Sequence, residues 1–406
     1  MNHSLFKQIG QALVEQWEVS SPDNAARCFF SPARINLIGD HIDYCGGKVL
    51  PAAIQFGTCF AARRNRLGLV RVYSLNQSEA IEFALDQPIE RMPGNHWSNY
   101  IRGVFAEYQK LGMDLPALDI ALAGDIPGGG LSSSASLEVG VALLIETFAA
   151  DADFQNDFAN KQKISWLAQR AENDFVGMNC GVMDQASVAL GKANMAMCLD
   201  CESLNVEYAP VNFDEHCLLI LNSCKNRNLT ESAYNQRRQE TESALSQVRD
   251  RMKITTLCDL GIKQLDVALE LIDDALLKKR ARHVVKENDR VLKATEALRH
   301  NDLQEFGLLL NESHHSLRYD YEVTGEELNT LIGLAQEQPG VLGARMMGGG
   351  FGGCGLALMH KDCVDEFMAA VGSAYRSAIG YDAEFYPVEI VDGAHEVRAG
   401  WLNESV

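Results

Sequence analysis

Apolar and polar positions change rhythm several times along the chain. From Cys28 to about Asp125 the apolar runs are short, and Gly, Pro and Asn break them, which predicts strands and turns. From Leu137 the spacing becomes helical: Leu137, Val141, Leu144, Ile145 and Phe148 share one face of a helix of about three turns. A second helix, Lys161 to Phe175, aligns Ile164, Ala168, Ala171 and Phe175 in a stripe, with Glu172 at its edge. Between Ser232 and Leu310 charged residues alternate with apolar ones at three and four spacing, almost without Gly or Pro, so this stretch is helical with a solvated charged face. Strand-like segments return at Cys354 to Met359 and Phe385 to Val391. At the other end, Met1 to Val19 scatters Lys7, Gln8, Gln11, Glu15 and Gln16 among apolar positions, the pattern of an amphipathic helix rather than a signal peptide.

Length and charge narrow this picture. At 406 residues the chain exceeds what one core holds, so two lobes with a cleft are expected, divided at about 1–205 and 206–406. A formal net charge of −19 repels nucleic acid and anionic lipid, and neither is expected as a partner. An anionic substrate would then need local help from a metal ion, backbone N–H groups or a few placed cations. No apolar run approaches the ~18 residues of a membrane span. The eleven cysteines show no zinc-type spacing, and reduced thiols in a cytoplasm are expected. Cys198 and Cys201 have redox spacing but fall where a strand enters a turn.

Four segments concentrate chemistry. In Arg34-Ile-Asn-Leu-Ile-Gly-Asp-His-Ile-Asp43, a strand would place Arg34 and Asn36 on one face and empty into a loop. Asp40, His41 and Asp43 in that loop could accept several sugar hydroxyls, or form a solvated turn. Pro127-Gly-Gly-Gly-Leu-Ser-Ser-Ser-Ala-Ser136 stands before a helix, where free N–H groups and the helix dipole favour an anion; it reads equally as a flexible turn with a serine cap. It is no Walker loop, because GxxxxGK[ST] occurs nowhere. In Gly177-Met-Asn-Cys-Gly-Val-Met-Asp184, Asp184 could be a helix cap or, partly desolvated, a proton acceptor; with Glu172 it could divide the work of base and metal ligand. Gly343-Ala-Arg-Met-Met-Gly-Gly-Gly-Phe-Gly-Gly-Cys354 contains a GxGxxG match, but a strand-like run follows it instead of the helix that a dinucleotide site requires, so a tight loop against another loop or a ligand is the better reading.

Taken in order, these segments resemble the signature motifs of the GHMP small-molecule kinases, and among them the galactokinases. The resemblance extends to Trp97-Ser-Asn-Tyr-Ile-Arg-Gly103, Tyr234-Asn-Gln-Arg-Arg238 and Glu312-Ser-His-His-Ser-Leu-Arg318. It implies an α+β fold of two lobes with the active site between them, and transfer of phosphate from ATP, with Mg²⁺, to the anomeric hydroxyl of galactose. By the same resemblance Gly128, Gly129, Gly130, Leu131, Ser132, Ser133 and Ser134 would wrap the phosphates, and Trp97 would lie near adenine. Ser134 and Glu172 would hold the metal, Asp184 would accept the proton, and Arg34 would stabilise the transition state. Asp40, His41, Ile42, Asp43 and Tyr234 would contact the sugar. A monomer is expected. Two departures stand out: Ala33 replaces the usual Gly before Arg34, and Asp40 is one methylene shorter than the usual Glu. The second leaves room for a rival substrate such as N-acetylgalactosamine. A sugar-sensing regulator without catalysis is the rival of another class, which the complete serine run disfavours.

Overall fold

The computed structural model describes residues 3–18, 25–128, 130–150, 155–225 and 230–397. Gly129 lies outside them. The strands are β1 (Arg27–Asn36), β2 (Lys48–Val49), β3 (Pro51–Arg64), β4 (Leu69–Ser74), β5 (Glu79–Ala84), β6 (Leu118–Gly124), β7 (Met195–Asp200), β8 (Val206–Pro210), β9 (His216–Asn222), β10 (Val341–Met346), β11 (Cys354–His360), β12 (Glu384–Pro387) and β13 (His395–Val397). The helices are α1 (His3–Gln16), α2 (Ser98–Lys110), α3 (Ser133–Ala150), α4 (Phe158–Arg170), α5 (Met183–Leu190), α6 (Thr230–Met252), α7 (Leu265–Glu270), α8 (Ala275–Arg299), α9 (Leu303–Ser316), α10 (Gly325–Gln336) and α11 (Val364–Ile379).

Three sheets organise them, in the orders β13-β1-β3-β6-β4-β5, β10-β11-β9-β12 and β2-β7-β8. The first sheet is covered on one face by α1, whose Phe6, Ile9 and Leu13 pack against Phe30, Cys59 and Ala61, and on the other by α2, α3 and α4. Both faces are therefore dry, which is why β1 reads as an unbroken buried run instead of an alternating one. A bulge between Pro32 and Ala33 accommodates the proline, which cannot donate to the ladder, and Arg34 follows it directly. The boundary expected near residue 205 is crossed twice: β13 returns from the end of the chain to pair with β1, and the largest apolar cluster draws on residues from Ala33 to Leu358.

Several expectations need correction. The segment read as strands and turns up to Asp125 contains α2, whose Ile101, Val104, Phe105 and Tyr108 are buried. α3 starts at Ser133, inside the glycine and serine run, and is longer than the three turns expected. Its 18 residues are also long and apolar enough to span a membrane by length and composition, although 72% of that stretch is buried inside the protein, as in a core helix. The second helix ends at Arg170 and continues as a π-helical turn, Ala171–Val176, so Glu172 lies on that turn rather than on α4. Cys198 and Cys201 lie, as expected, at the end of a strand and in the turn after it, as buried free thiols whose pKa values burial raises.

Candidate active site

Arg34, at the exposed-cleft end of β1, is itself only 4% exposed. Its Nε donates to Asp184 Oδ1 at 2.8 Å and its Nη2 to Asp184 Oδ2 at 3.0 Å, a two-pronged pair fixed by the planar guanidinium. The remaining Nη1 donates to the Gly130 carbonyl at 2.8 Å. One side chain thereby ties the carboxylate in the first turn of α5 to the glycine loop. Ser132 reinforces the tie, since its hydroxyl donates to Asp184 Oδ2 from a residue held at φ +60°. Gly128 turns at φ +68°, and a Cβ there would come within 2.5 Å of the Asn222 amide, so only glycine fits.

Deeper in, the π-helical turn aims Glu172 at the start of α3. The Ser134 hydroxyl hydrogen-bonds the Glu172 carboxylate, Gln185 Nε2 donates to Glu172 Oε2 at 2.5 Å, and the Cys180 thiol donates to the same oxygen at 3.4 Å. Burial, then the neighbouring Asp184, raises the Glu172 pKa. Gln185 Nε2 also reaches Glu138 Oε2 at 3.2 Å. Burial, then the Glu172 charge, raises the Glu138 pKa. Glu138 and Gln185 were not anticipated, although the spacing of four between Ser134 and Glu138 puts both on one face of α3.

A hydroxyl and a carboxylate are hard oxygen donors suited to Mg²⁺, which keeps waters or substrate phosphates for most of its shell. Among the described residues no cluster of three or more His, Cys, Asp or Glu could hold a metal alone. Buried Glu138 Oε1 and Gln185 Oε1 have no hydrogen-bond partner, so the neighbourhood is short of positive charge and donors. The donor set fits a magnesium ion that arrives with a nucleotide.

The other end of the chamber is the Asp40 loop. Asp40 is 1% exposed, and it accepts from Asn36 Nδ2 at 2.7 Å on Oδ1 and from Arg345 Nη2 on Oδ2. Burial raises its pKa while Arg345 opposes that. Arg345, fully buried on β10, was not singled out by the sequence; it also donates to the Asn36 and Leu37 carbonyls at 3.1 and 2.9 Å. The signal was an arginine in an otherwise apolar strand, which must find a partner inside. His41 has both ring nitrogens engaged, by Tyr44 and by the Gly349 carbonyl. Asp43 is different. Its carboxyl accepts from the backbone N–H groups of Tyr44 and of Asp43 itself, and burial with the nearby Asp184 charge pushes its pKa to about 7. Ile42 departs from expectation: its side chain is fully buried in the main apolar cluster and does not line the cavity.

A cavity of about 350 Å³ brings together Arg34, Asp40, His41, Asp43, Gly130, Ser132, Ser133, Ser134, Glu172, Asp184 and Tyr234. Leu131 points away, fully buried. Beside it a second cavity of about 380 Å³ is lined by Trp97, Tyr100, Ser74 and Asn76, and Ser133 and Ser134 border both. Two chambers thus meet at the N-terminus of α3, where unpaired N–H groups favour phosphate.

Comparison with known proteins identifies the family of the chain. The "Galactokinase galactose-binding signature" matches residues 18–64, "GHMP kinases N terminal domain" residues 99–192 and "GHMP kinases C terminal" residues 294–377. A galactokinase of Levilactobacillus brevis is 45% identical over 398 residues, covering 97% of this chain and 100% of the relative. The chain belongs to the galactokinase family. A galactokinase of Clostridium tetani is 44% identical over 376 residues, covering 92% of this chain and 94% of its own. Among solved structures, that of Lactococcus lactis galactokinase complexed with galactose superposes with a TM-score of 0.90 at 41% identity, over 96% of this chain and 99% of the other. The Methanococcus jannaschii mevalonate kinase, at 15% identity and a TM-score of 0.62 over 91% of this chain and 100% of its own, shares the fold. The fold is the α+β architecture of the GHMP kinases.

Proposed function

We propose that this kinase, which phosphorylates galactose with ATP and Mg²⁺, holds the sugar in the Asp43 chamber and adenine in the Trp97 chamber, with phosphate transfer at the loop between them. The supporting observation is the Arg34–Asp184 pair in the wall of the first cavity, which Ser132 ties to the serine run whose Ser133 and Ser134 border both cavities. Asp184 orients the anomeric hydroxyl and accepts its proton as the bond to phosphorus forms. Arg34 fixes that carboxylate and offers positive charge where the transferred group spreads its negative charge. Gly128, Gly130, Ser132 and Ser133 shape the loop around the phosphates, while Ser134 and Glu172 hold the metal, which would neutralise charge on the phosphate oxygens. Most of the rate comes from alignment and electrostatics, since phosphoryl transfer asks for little covalent help.

For the sugar, Asp43 and Tyr234 are the contacts that the geometry favours, because each Asp40 oxygen already accepts a hydrogen bond, from Asn36 or from Arg345. The carboxylate shortened by one methylene is drawn to Arg345, so Asp43 carries the selection for galactose. Eleven free cysteines support a reducing cytoplasmic setting.

The test is Asp184→Asn. Galactose binding measured by calorimetry should persist, and turnover should fall by about three or more orders of magnitude. Near-normal turnover would remove Asp184 from the reaction. A panel of hexoses, including N-acetylgalactosamine, read by ADP release, checks the substrate.

A further inference from the structure

The proton positions around His41 follow from its partners. His41 Nε2 lies 3.2 Å from the Gly349 carbonyl oxygen, which can only accept, so Nε2 bears the hydrogen. In a neutral ring Nδ1 then has a lone pair, and the Tyr44 hydroxyl 2.8 Å away must donate to it. That uses the one proton of Tyr44. The Tyr321 hydroxyl, 2.9 Å from the Tyr44 oxygen, must therefore donate in turn. Burial, followed by the neighbouring His283, lowers the His41 pKa to about 3, which keeps the ring neutral; Arg237 and Arg345 act in the same direction.

This chain of donors has a geometric purpose. His41 stands at φ +65° between Asp40 and Asp43, so the loop at the sugar end is bent sharply there. Tyr321, fully buried, ends a π-helical turn, Leu317–Tyr321, and packs against His41 at 5.0 Å between ring centroids. Gly349, whose carbonyl accepts the last hydrogen bond, follows Gly348, where an added Cβ would lie 3.1 Å from the Gly130 carbonyl of the phosphate loop. The third glycine segment is thereby the bridge between the two loops, and His41 is its attachment to the sugar side.

We propose that His41 is a positioning residue, a latch held as the Nε2–H tautomer by the relay Tyr321 to Tyr44 and fastened to Gly349, which sets the sugar loop against the third glycine segment and whose ring nitrogens, both engaged, are not offered to the sugar. The inference rests on the reading of this chamber as the galactose site. Two measurements on the full chain test it. In ¹⁵N-histidine-labelled protein, His41 should show the Nε2–H tautomer and no titration from about pH 5.5 to 8.5; an Nδ1–H tautomer, or a titration in that window, would overturn the latch. In steady-state kinetics Tyr44→Phe should raise the galactose KM about five- to tenfold, the loss of one buried hydrogen bond, with kcat and the ATP KM within about twofold. An unchanged galactose KM, or a fall in kcat alone, would count against it. Tyr321→Phe should move KM the same way by less, because Tyr44 keeps its donor proton; a larger effect than Tyr44→Phe sinks the directional relay. The tautomer is read without turnover, so a failure of the substrate assignment is distinguishable from a failure of the latch.

Discussion

At the scale of single residues, three polar side chains that look interchangeable in the Asp40–Asp43 loop have different jobs. Asp40 faces Arg345 and Asn36, His41 faces Tyr44 and Gly349, and Asp43 alone keeps a carboxyl open to the chamber. With its pKa raised to about 7, Asp43 is protonated in the free enzyme below that pH and ionised above it. The ionised form accepts sugar hydroxyls best, so kcat/KM for galactose should fall as pH drops below about 7, and Asp43→Asn should flatten that limb while lowering its plateau. The same shift bears on stability. A folded pKa above the unfolded value near 3.8 contributes stability in full below that value and loses it as pH rises through 7. Thermal unfolding of Asp43→Asn should accordingly show a gain over the parent at pH 8.5 and none at pH 4. The sequence made the loop's polarity legible, but which of the three was free depended on Arg345 and Gly349, about three hundred positions away.

Among the elements, the two π-helical turns do what straight helices would not. Ala171–Val176 turns Glu172 inward after α4, and Leu317–Tyr321 turns Tyr321 toward the sugar loop after α9. Helical periodicity announced α4 through the stripe Ile164 and Ala168, but the extra residue of a π turn has no periodic signature, so Glu172 was expected on the helix itself. Gly181 shows how closely these elements meet: a Cβ there would lie 2.1 Å from Asp43 Oδ2. Gly181→Ala should displace Asp43 and raise the galactose KM, leaving the ATP KM near its parent value; equal rises in both would point to a general collapse of the cleft. The β10 arginine is the corresponding structural joint. Arg345→Met leaves buried Asp40 without its counter-ion and should cost about 3–5 kcal/mol in urea unfolding.

For the molecule as a whole, the net charge of −19 repels ATP at a distance, and on the proposed reading Arg34, the loop and the start of α3 would answer it locally. Because the chamber takes residues from Arg34 to Gly349, ligand binding links distant parts of the chain. Galactose at about a hundred times its Kd should add about 2.7 kcal/mol to stability, seen as a higher Tm; no shift would mean that the chamber is not the sugar site. Composition, periodicity and the order of four short segments sufficed for the helical middle and the kinase family, because each depends on residues adjacent in the chain. They could not show that α3 is a buried core helix rather than a membrane-length one, that Ile42 faces the core, that Gln185 bridges Glu138 and Glu172, or that Arg345 reaches Asp40. Those outcomes depend on which surfaces the fold brings within a few ångströms, where burial and a single hydrogen bond decide what each side chain has left to offer.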